Sequence, residues 1–116
     1  MSARDTTVEA RTALFREATV VMRRRFAEDV QLDDIAREIA TSRRQLQRVF
    51  EEVGDTTFRE HLTRIRMTRA AEMLESPLPI RDIAQRVGYR QPAQFAKAFR
   101  RVYGVTPSAY RVRSGA

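Results

Sequence analysis

Apolar residues recur at spacings of three and four along most of the chain, and no segment sustains an alternation of apolar and polar positions. That spacing predicts amphipathic α-helices and no β-strands. The four glycines and four prolines fall at the boundaries between the periodic segments. We therefore expect an all-α fold of about seven helices.

The boundaries of the helices follow from the same pattern. The predicted helices span residues 7–27, 32–39, 42–53, 57–75, 80–87, 92–103 and 106–110. Ser42 and Thr57 each stand three residues before a glutamine or glutamate, which is the capping-box pattern of a helix start. Pro92 suits the first position of a helix, and Gly54 and Gly104 are expected to end the helices before them.

The chain repeats a short helix, a tight turn and a second amphipathic helix. The apolar positions of the two short helices match at a shift of 48: Leu32, Ile35, Ala36 and Ile39 with Ile80, Ile83, Ala84 and Val87. Those of the second helices match at a shift of 49: Leu46, Phe50 and Val53 with Phe95, Phe99 and Val102. The glycines that follow, Gly54 and Gly104, match at a shift of 50. This is the plan of a helix-turn-helix unit, in which the outward face of the second helix is free to enter a DNA major groove. The sequence therefore predicts two such units, with recognition helices at about 42–53 and 92–103.

The matched apolar positions are expected to face inward, which leaves polar side chains outward on both recognition helices. The predicted base contacts are Arg43, Arg44, Gln47 and Arg48 in the first unit and Ala93, Gln94 and Lys97 in the second. Arginine matches the two acceptors of guanine, and glutamine matches the donor and acceptor of adenine. The second helix has fewer hydrogen-bond donors, so we expect it to depend more on phosphates.

Predicted phosphate contacts lie at the starts of the recognition helices and on the basic end of the chain. They are Ser42, Arg90, Gln91, Arg100, Arg101 and Arg111. Residues 83–116 hold seven basic and no acidic residues, whereas the 82 residues before them hold 15 of each. A strongly basic end on a chain of net charge +7 is typical of a protein that binds a polyanion.

Composition excludes several other classes of protein. The absence of cysteine excludes a disulfide scaffold, a thiolate metal site and a cysteine nucleophile. No apolar run approaches the length of a membrane span and the N-terminus lacks a signal peptide, so we expect a cytoplasmic protein. The single histidine, His61, lacks evident partners for metal binding or catalysis. We predict no enzyme activity, catalytic residue, metal or cofactor, and a packing or surface role for His61.

These residues resemble the AraC/XylS family of bacterial transcription regulators. Residues 64–74 are similar to that family's linker helix, and the stretch from Ile80 through Gly88, Phe95, Phe99 and Gly104 to Arg111 is similar to its signature. The resemblance implies two subdomains joined by the long fourth helix, which read two adjacent major grooves. The chain looks like the stand-alone MarA/SoxS-like members, or like an excised DNA-binding domain of a longer member.

The domain organisation expected from the pattern and the resemblance has five parts. They are an N-terminal flexible tail (1–6), a first helix-turn-helix subdomain (7–55), a linker helix (56–76), a second subdomain (77–112) and a C-terminal tail (113–116). The expected partner is double-stranded DNA in the nucleoid, bound by a monomer at an asymmetric site of roughly 20 base pairs. RNA polymerase is a candidate second partner.

Three other functions remain open at this point. The basic helices could grip an acidic protein partner without reading DNA, or could bind DNA without sequence preference. The first helix, with arginines at 23–25 beside apolar neighbours, could lie on a membrane surface, although burial in a core explains its apolar stripe better.

Overall fold

A computed structural model of the chain describes the backbone of residues 3–115 and the side chains of residues 7–115. Within that range it contains seven α-helices and no strand. They are α1 (Ala3–Arg25), α2 (Leu32–Glu38), α3 (Arg43–Glu52), α4 (Phe58–Met73), α5 (Ile80–Arg86), α6 (Pro92–Tyr103) and α7 (Pro107–Arg113). The all-α prediction and the count of helices are confirmed. None of the helices described is both long and apolar enough to cross a membrane.

The predicted boundaries hold to within a few residues except at the two ends. Helix α1 starts at Ala3 rather than residue 7, because no glycine or proline interrupts the polar residues before residue 7. Part of the predicted tail over residues 1–6 is therefore helical, and its first two residues lie outside the described range. Helix α7 continues to Arg113 instead of ending at residue 110.

The described chain separates into two compact units, which do not coincide with a simple cut along the sequence. Unit 1 contains α1 to Arg25 and the stretch Val30–Leu62, which holds α2, α3 and the start of α4. Unit 2 contains the short segment Phe26–Asp29 and all described residues from Thr63 onward. Helix α4 thus contributes residues to both units.

The core of unit 1 is built where α1, α2 and α3 pack together. Its fully buried side chains include Met22, Ile35, Leu46, Val49 and Phe50. The ring of Phe15 meets that of Phe50 edge-on, with centroids 5.5 Å apart. His61 lies against both rings and its Nε2 is 3.0 Å from the Thr19 hydroxyl. The expected packing role of His61 is therefore seen in the core.

The core of unit 2 is formed by α4, α5 and α6. Its buried members are Met67, Ala70, Ala71, Leu74, Ile83, Ala84, Val87, Phe95 and Phe99. On the edge of this core, the guanidinium of Arg66 donates from Nε to the carbonyl of Phe26 (2.8 Å) and from Nη2 to that of Glu28 (3.0 Å). The same group lies 5.6 Å from the ring centre of Tyr89. Arg66 therefore ties the segment Phe26–Asp29 and the turn before α6 to α4.

The turns of the two helix-turn-helix units have nearly the same backbone. The residue that ends each short helix has φ −98° and ψ 13° at Ile39, and φ −97° and ψ 12° at Val87. The next residue is left-handed in both, with φ 58° at Ala40 and 98° at Gly88. In each turn, the following N–H bonds back to the buried alanine, at 2.9 Å. The shift of 48 that the sequence predicted for the short helices is thus confirmed in the backbone.

The proposed match at the ends of the recognition helices is wrong. Val102, predicted inward, is 39% exposed, because the last turn of α6 runs past the core and Tyr103 packs on Phe99 instead, with ring centroids 4.7 Å apart. Gly104 is left-handed with φ 80°, whereas Gly54 is not among the residues with positive φ. A Cβ at Gly54 would lie 2.4 Å from the Phe15 ring, so this glycine permits a close contact rather than a turn.

Exchanging the residue types of the two turns should change stability in opposite directions. We expect Gly88→Ala to lower the free energy of unfolding by about 1–3 kcal/mol, because a left-handed Cβ is strained and would lie 3.1–3.2 Å from Arg66 and the Ala27 carbonyl. Ala40→Gly removes the left-handed Cβ strain, which raises the free energy of unfolding, but glycine also loses more conformational entropy on folding than alanine does. The net effect should raise the free energy of unfolding by up to about 1 kcal/mol. Urea denaturation followed by circular dichroism measures both, and equal signs for the two variants would contradict this account.

Candidate nucleic-acid interface

Helix α3 begins with a side-chain cap at Ser42. The Ser42 hydroxyl accepts a hydrogen bond from the backbone N–H of Gln45 at 3.1 Å, as the capping pattern predicted. The side chain of Gln45 does not return to Ser42; its Oε1 accepts instead from the Thr41 hydroxyl at 2.9 Å. The N–H groups of Arg43 and Arg44 have no acceptor within the helix, because the first turn of a helix has none to offer. This helix start is therefore suited to an anion.

One face of α3 is buried in the core of unit 1, and the opposite face is exposed. Leu46, Val49 and Phe50 have at most 1% of their surface accessible. The four predicted base contacts Arg43, Arg44, Gln47 and Arg48 are all exposed. The amphipathic pattern thus separated the inward from the outward side chains of this helix correctly.

The exposed residues of α3 differ in their partners. Nη1 of Arg43 is 3.2 Å from Asp33 Oδ2 on α2, and Nη2 of Arg48 is 3.6 Å from Glu52 Oε1 one turn further along α3. Within the described part of the chain, Arg44 and Gln47 take part in no ion pair or side-chain hydrogen bond. The polar groups of Arg44 and Gln47 are therefore free to bind a ligand. The exposed ion pairs of Arg43 and Arg48 contribute little free energy, so these arginines can exchange their carboxylate partners for a ligand.

Two shallow depressions in unit 1 flank the exposed face of α3. The first, of about 240 Å³, is lined by Arg11, Ser42, Arg44, Gln45 and Arg48. The second, of about 250 Å³, includes Arg43, Gln47 and Glu51 among its lining residues. The four exposed polar residues of α3 are therefore shared between these two depressions.

Helix α6 has the same division into two faces, with different chemistry outside. Phe95 and Phe99 are completely buried, whereas the predicted base contacts Ala93, Gln94 and Lys97 are exposed. Pro92 occupies the first turn and Gln91 precedes it without a side-chain cap. Only Gln94 and Lys97 among the three offer donors, so this face is poorer than that of α3 for reading base edges.

Five of the six predicted phosphate contacts are exposed, and the sixth is not. The exposed ones are Ser42, Arg90, Gln91, Arg100 and Arg101. The half-buried exception, Arg111, donates from Nε to the Leu74 carbonyl at 3.1 Å and from Nη2 to the Leu78 carbonyl at 2.6 Å. These carbonyls follow the end of α4 and lack helical partners. We therefore expect the guanidinium of Arg111 to cap α4 inside unit 2 rather than to bind phosphate.

Sequence reasoning missed two arginines that the structure makes important. Arg66 sits at an inward position of α4, four residues after Leu62 and four before Ala70, and a lone arginine within such an apolar row is a signal for an internal role. Arg11 on α1 lines the same depression as Ser42 and Arg44. No local pattern marks Arg11, because only the packing of α1 against α3 brings it there.

Comparison with known proteins places the chain in a family. The family of helix-turn-helix domains matches residues 35–113. Regulatory protein SoxS of Salmonella typhimurium is 36% identical over 85 residues, which cover 72% of this chain and 79% of SoxS. An AraC-type transcriptional regulator from Chromobacterium violaceum has a crystal structure that aligns with a TM-score of 0.85 at 27% identity, covering 88% of this chain and 92% of that one. The chain belongs to the AraC family of helix-turn-helix transcription regulators.

Its AraC-family membership agrees with the fold and with the two exposed helices. The DNA-binding domain of AdpA, solved in complex with a target DNA, aligns with a TM-score of 0.78 at 27% identity and covers 84% of this chain and 89% of that one. The AraC-family chain therefore shares its fold with a domain that was solved on DNA.

Many curated relatives of this AraC-family chain are longer. The chain spans 33%, 25% and 28% of the lengths of the Msm operon regulatory protein of Streptococcus mutans, GlxA of Rhizobium meliloti and PocR of Salmonella typhimurium. The likeness to these relatives therefore concerns the region that carries the helix-turn-helix units.

Replacing Arg111 should affect stability and not the electrostatics of DNA binding. We expect Arg111→Ala to lower the free energy of unfolding by about 1–3 kcal/mol, since two backbone carbonyls lose a charged donor. The dependence of DNA affinity on salt should stay unchanged. The matched variant Arg101→Ala, at an exposed site on α6, should leave stability within about 0.5 kcal/mol and reduce the slope of log K against log salt by about 1. A wild-type stability with a reduced slope for Arg111→Ala would restore its role as a phosphate contact.

Proposed function

We propose that α3 is the main reader of sequence, with Arg44 and Gln47 as its central base contacts and Arg43 and Arg48 beside them. The observation that carries this proposal is the exposure of Arg44 and Gln47, without protein partners among the described residues, on a helix whose opposite face is completely buried. Arginine and glutamine are the side chains that pair bidentately with guanine and adenine, at roughly 1–3 kcal/mol of discrimination for each pair.

Helix α6 contributes chiefly through the DNA backbone. The helix carries three exposed cations, Lys97, Arg100 and Arg101, and Arg90 precedes it. None of these four forms an ion pair with any described residue. Residues 83–116 contain no acidic residue that could compete with phosphate. Gln94 is the base contact we favour on this helix. Lys97 can donate to a base or to a phosphate, and Ala93 is suited to a thymine methyl group.

The two recognition helices enter successive major grooves of one duplex. The repeat of one motif within a single chain supports this arrangement, because each unit supplies its own recognition helix. Successive grooves lie about 34 Å apart, so one chain would cover roughly 20 base pairs. A monomer would then recognise an asymmetric site, and no palindrome is needed. RNA polymerase is our candidate second partner, and the cytoplasmic nucleoid is the place of action.

Selection of bound duplexes from a random pool tests whether α3 reads sequence. We expect the wild-type chain to enrich a defined site, and Arg44→Ala and Gln47→Ala each to relax the preference at one or two adjacent positions, at a cost of about 1–3 kcal/mol on that site. Arg23→Ala, which removes an exposed arginine of α1 outside α3, is the matched control and should enrich the wild-type site. An equal loss of affinity for every duplex would instead support non-specific DNA binding, and no DNA binding would support a protein-interaction module.

The affinity for DNA should fall steeply with salt. Each neutralised phosphate contributes about 0.9 to the slope of log K against log salt, so phosphate contacts by the four cations at 90, 97, 100 and 101 alone predict about a hundredfold loss between 50 and 200 mM salt. Fluorescence anisotropy with a labelled duplex taken from the selected pool measures this slope. An affinity that stays constant over this range of salt would exclude a binding mode based on phosphate contacts.

A further inference from the structure

A second helix of unit 1 reaches the depression beside the start of α3. Arg11, in the early part of α1, lines this depression together with Ser42, Arg44 and Arg48. Three arginines from two different helices therefore line one depression together with Ser42, the N-cap of the ten-residue helix α3. Arginines gathered on one surface in this way suit a phosphate.

Among the residues whose side chains are described, only Glu52, at the end of α3, forms ion pairs with these arginines. One of its oxygens binds Nη1 of Arg11, and the other is 3.6 Å from Nη2 of Arg48. Both groups of the Arg11–Glu52 pair remain partly exposed, with 33% of the Arg11 side chain and 42% of the Glu52 side chain accessible. Ion pairs this exposed contribute little to stability. Arg11 can therefore exchange Glu52 for another anion while α1 stays packed on α3.

We propose that Arg11 is part of the DNA-binding surface of unit 1 and binds a phosphate of the duplex whose groove α3 enters. This inference rests on the proposed function of α3. Arg11 comes from a flanking helix and not from the exposed face of α3, so it contacts the sugar-phosphate backbone and not the bases. Glu52 holds the guanidinium beside the depression before DNA binds. The contact adds affinity without adding sequence preference.

The test compares Arg11→Gln with Arg16→Gln in the whole 116-residue chain. Arg16 is an exposed residue of α1 five positions further on, which places it on a different face of the helix at 100° per residue. The two variants lose the same charge from the same helix. The probe is a labelled duplex that the wild-type chain selects from a random pool, titrated by anisotropy between 50 and 200 mM salt.

Arg11→Gln is expected to reduce the slope of log K against log salt by about 0.9, so that its disadvantage relative to the wild type shrinks about three- to fourfold between 50 and 200 mM salt. It should enrich the wild-type site from the random pool. Arg16→Gln should keep the wild-type slope. Equal slopes for the two variants would overturn the inference, as would an altered site for Arg11→Gln.

Two controls keep the outcome clear. If Arg11→Gln alone fails to fold, a double variant with Glu52→Gln removes both members of the ion pair. The slope of the double variant is then compared with that of Glu52→Gln alone, and the same decrease of about 0.9 is expected. No decrease in that comparison would overturn the inference. If the wild-type chain itself shows no sequence preference, the proposed function of α3 fails. A wild type with normal preference and an Arg11→Gln variant with an unchanged slope refutes only the role of Arg11.

Discussion

In each unit, a short helix meets the following helix at a buried alanine, Ala36 in unit 1 and Ala84 in unit 2, and the chain turns between the helices through one left-handed residue. A larger side chain at the alanine would separate the two helices, and a right-handed turn residue would send the second helix in another direction. When the alanine is small and the turn residue is left-handed, one face of the second helix is completely buried. That face carries Leu46 and Phe50 in α3, and Phe95 and Phe99 in α6. This packing decides which face remains exposed, and that face carries the residues that we propose to bind DNA.

The two units carry different charges on their exposed helices. In unit 1 the arginines of α3 are bordered by acids, and Arg43 and Arg48 are paired with Asp33 and Glu52. In unit 2 the segment from residue 83 onward contains no acid, and the acids that line a depression together with Arg90 are Asp29 and Asp82. Acids beside a recognition helix lower its attraction for any phosphate and leave more of the binding free energy to contacts with bases. This difference supports the proposed division, in which unit 1 supplies specificity and unit 2 supplies affinity.

The arginines of this chain have three kinds of surroundings, which the amino-acid composition does not distinguish. Arg44 is exposed and unpaired among the described residues, Arg11 is half-buried in an ion pair that can be exchanged, and Arg66 and Arg111 bind backbone carbonyls inside unit 2. A guanidinium can do all of these because its five donors lie in one plane on an apolar stem. The net charge of the chain therefore overstates the number of cations available to DNA.

The sequence by itself determined the seven helices, the repeat of the helix-turn-helix unit and the exposed faces of α3 and α6, because these depend on residues three to five positions apart. It could not determine the partners of long side chains. Arg111 binds a backbone carbonyl at the end of α4, 37 positions away, which no local pattern indicated. Arg11 showed no local signal either, and its neighbour Glu52 is 41 positions distant. The exposure of Val102 and the close contact at Gly54 were decided in the same way. Only tertiary packing brings such positions together, since a flexible arginine takes whichever carbonyl, carboxylate or phosphate the fold places within its reach.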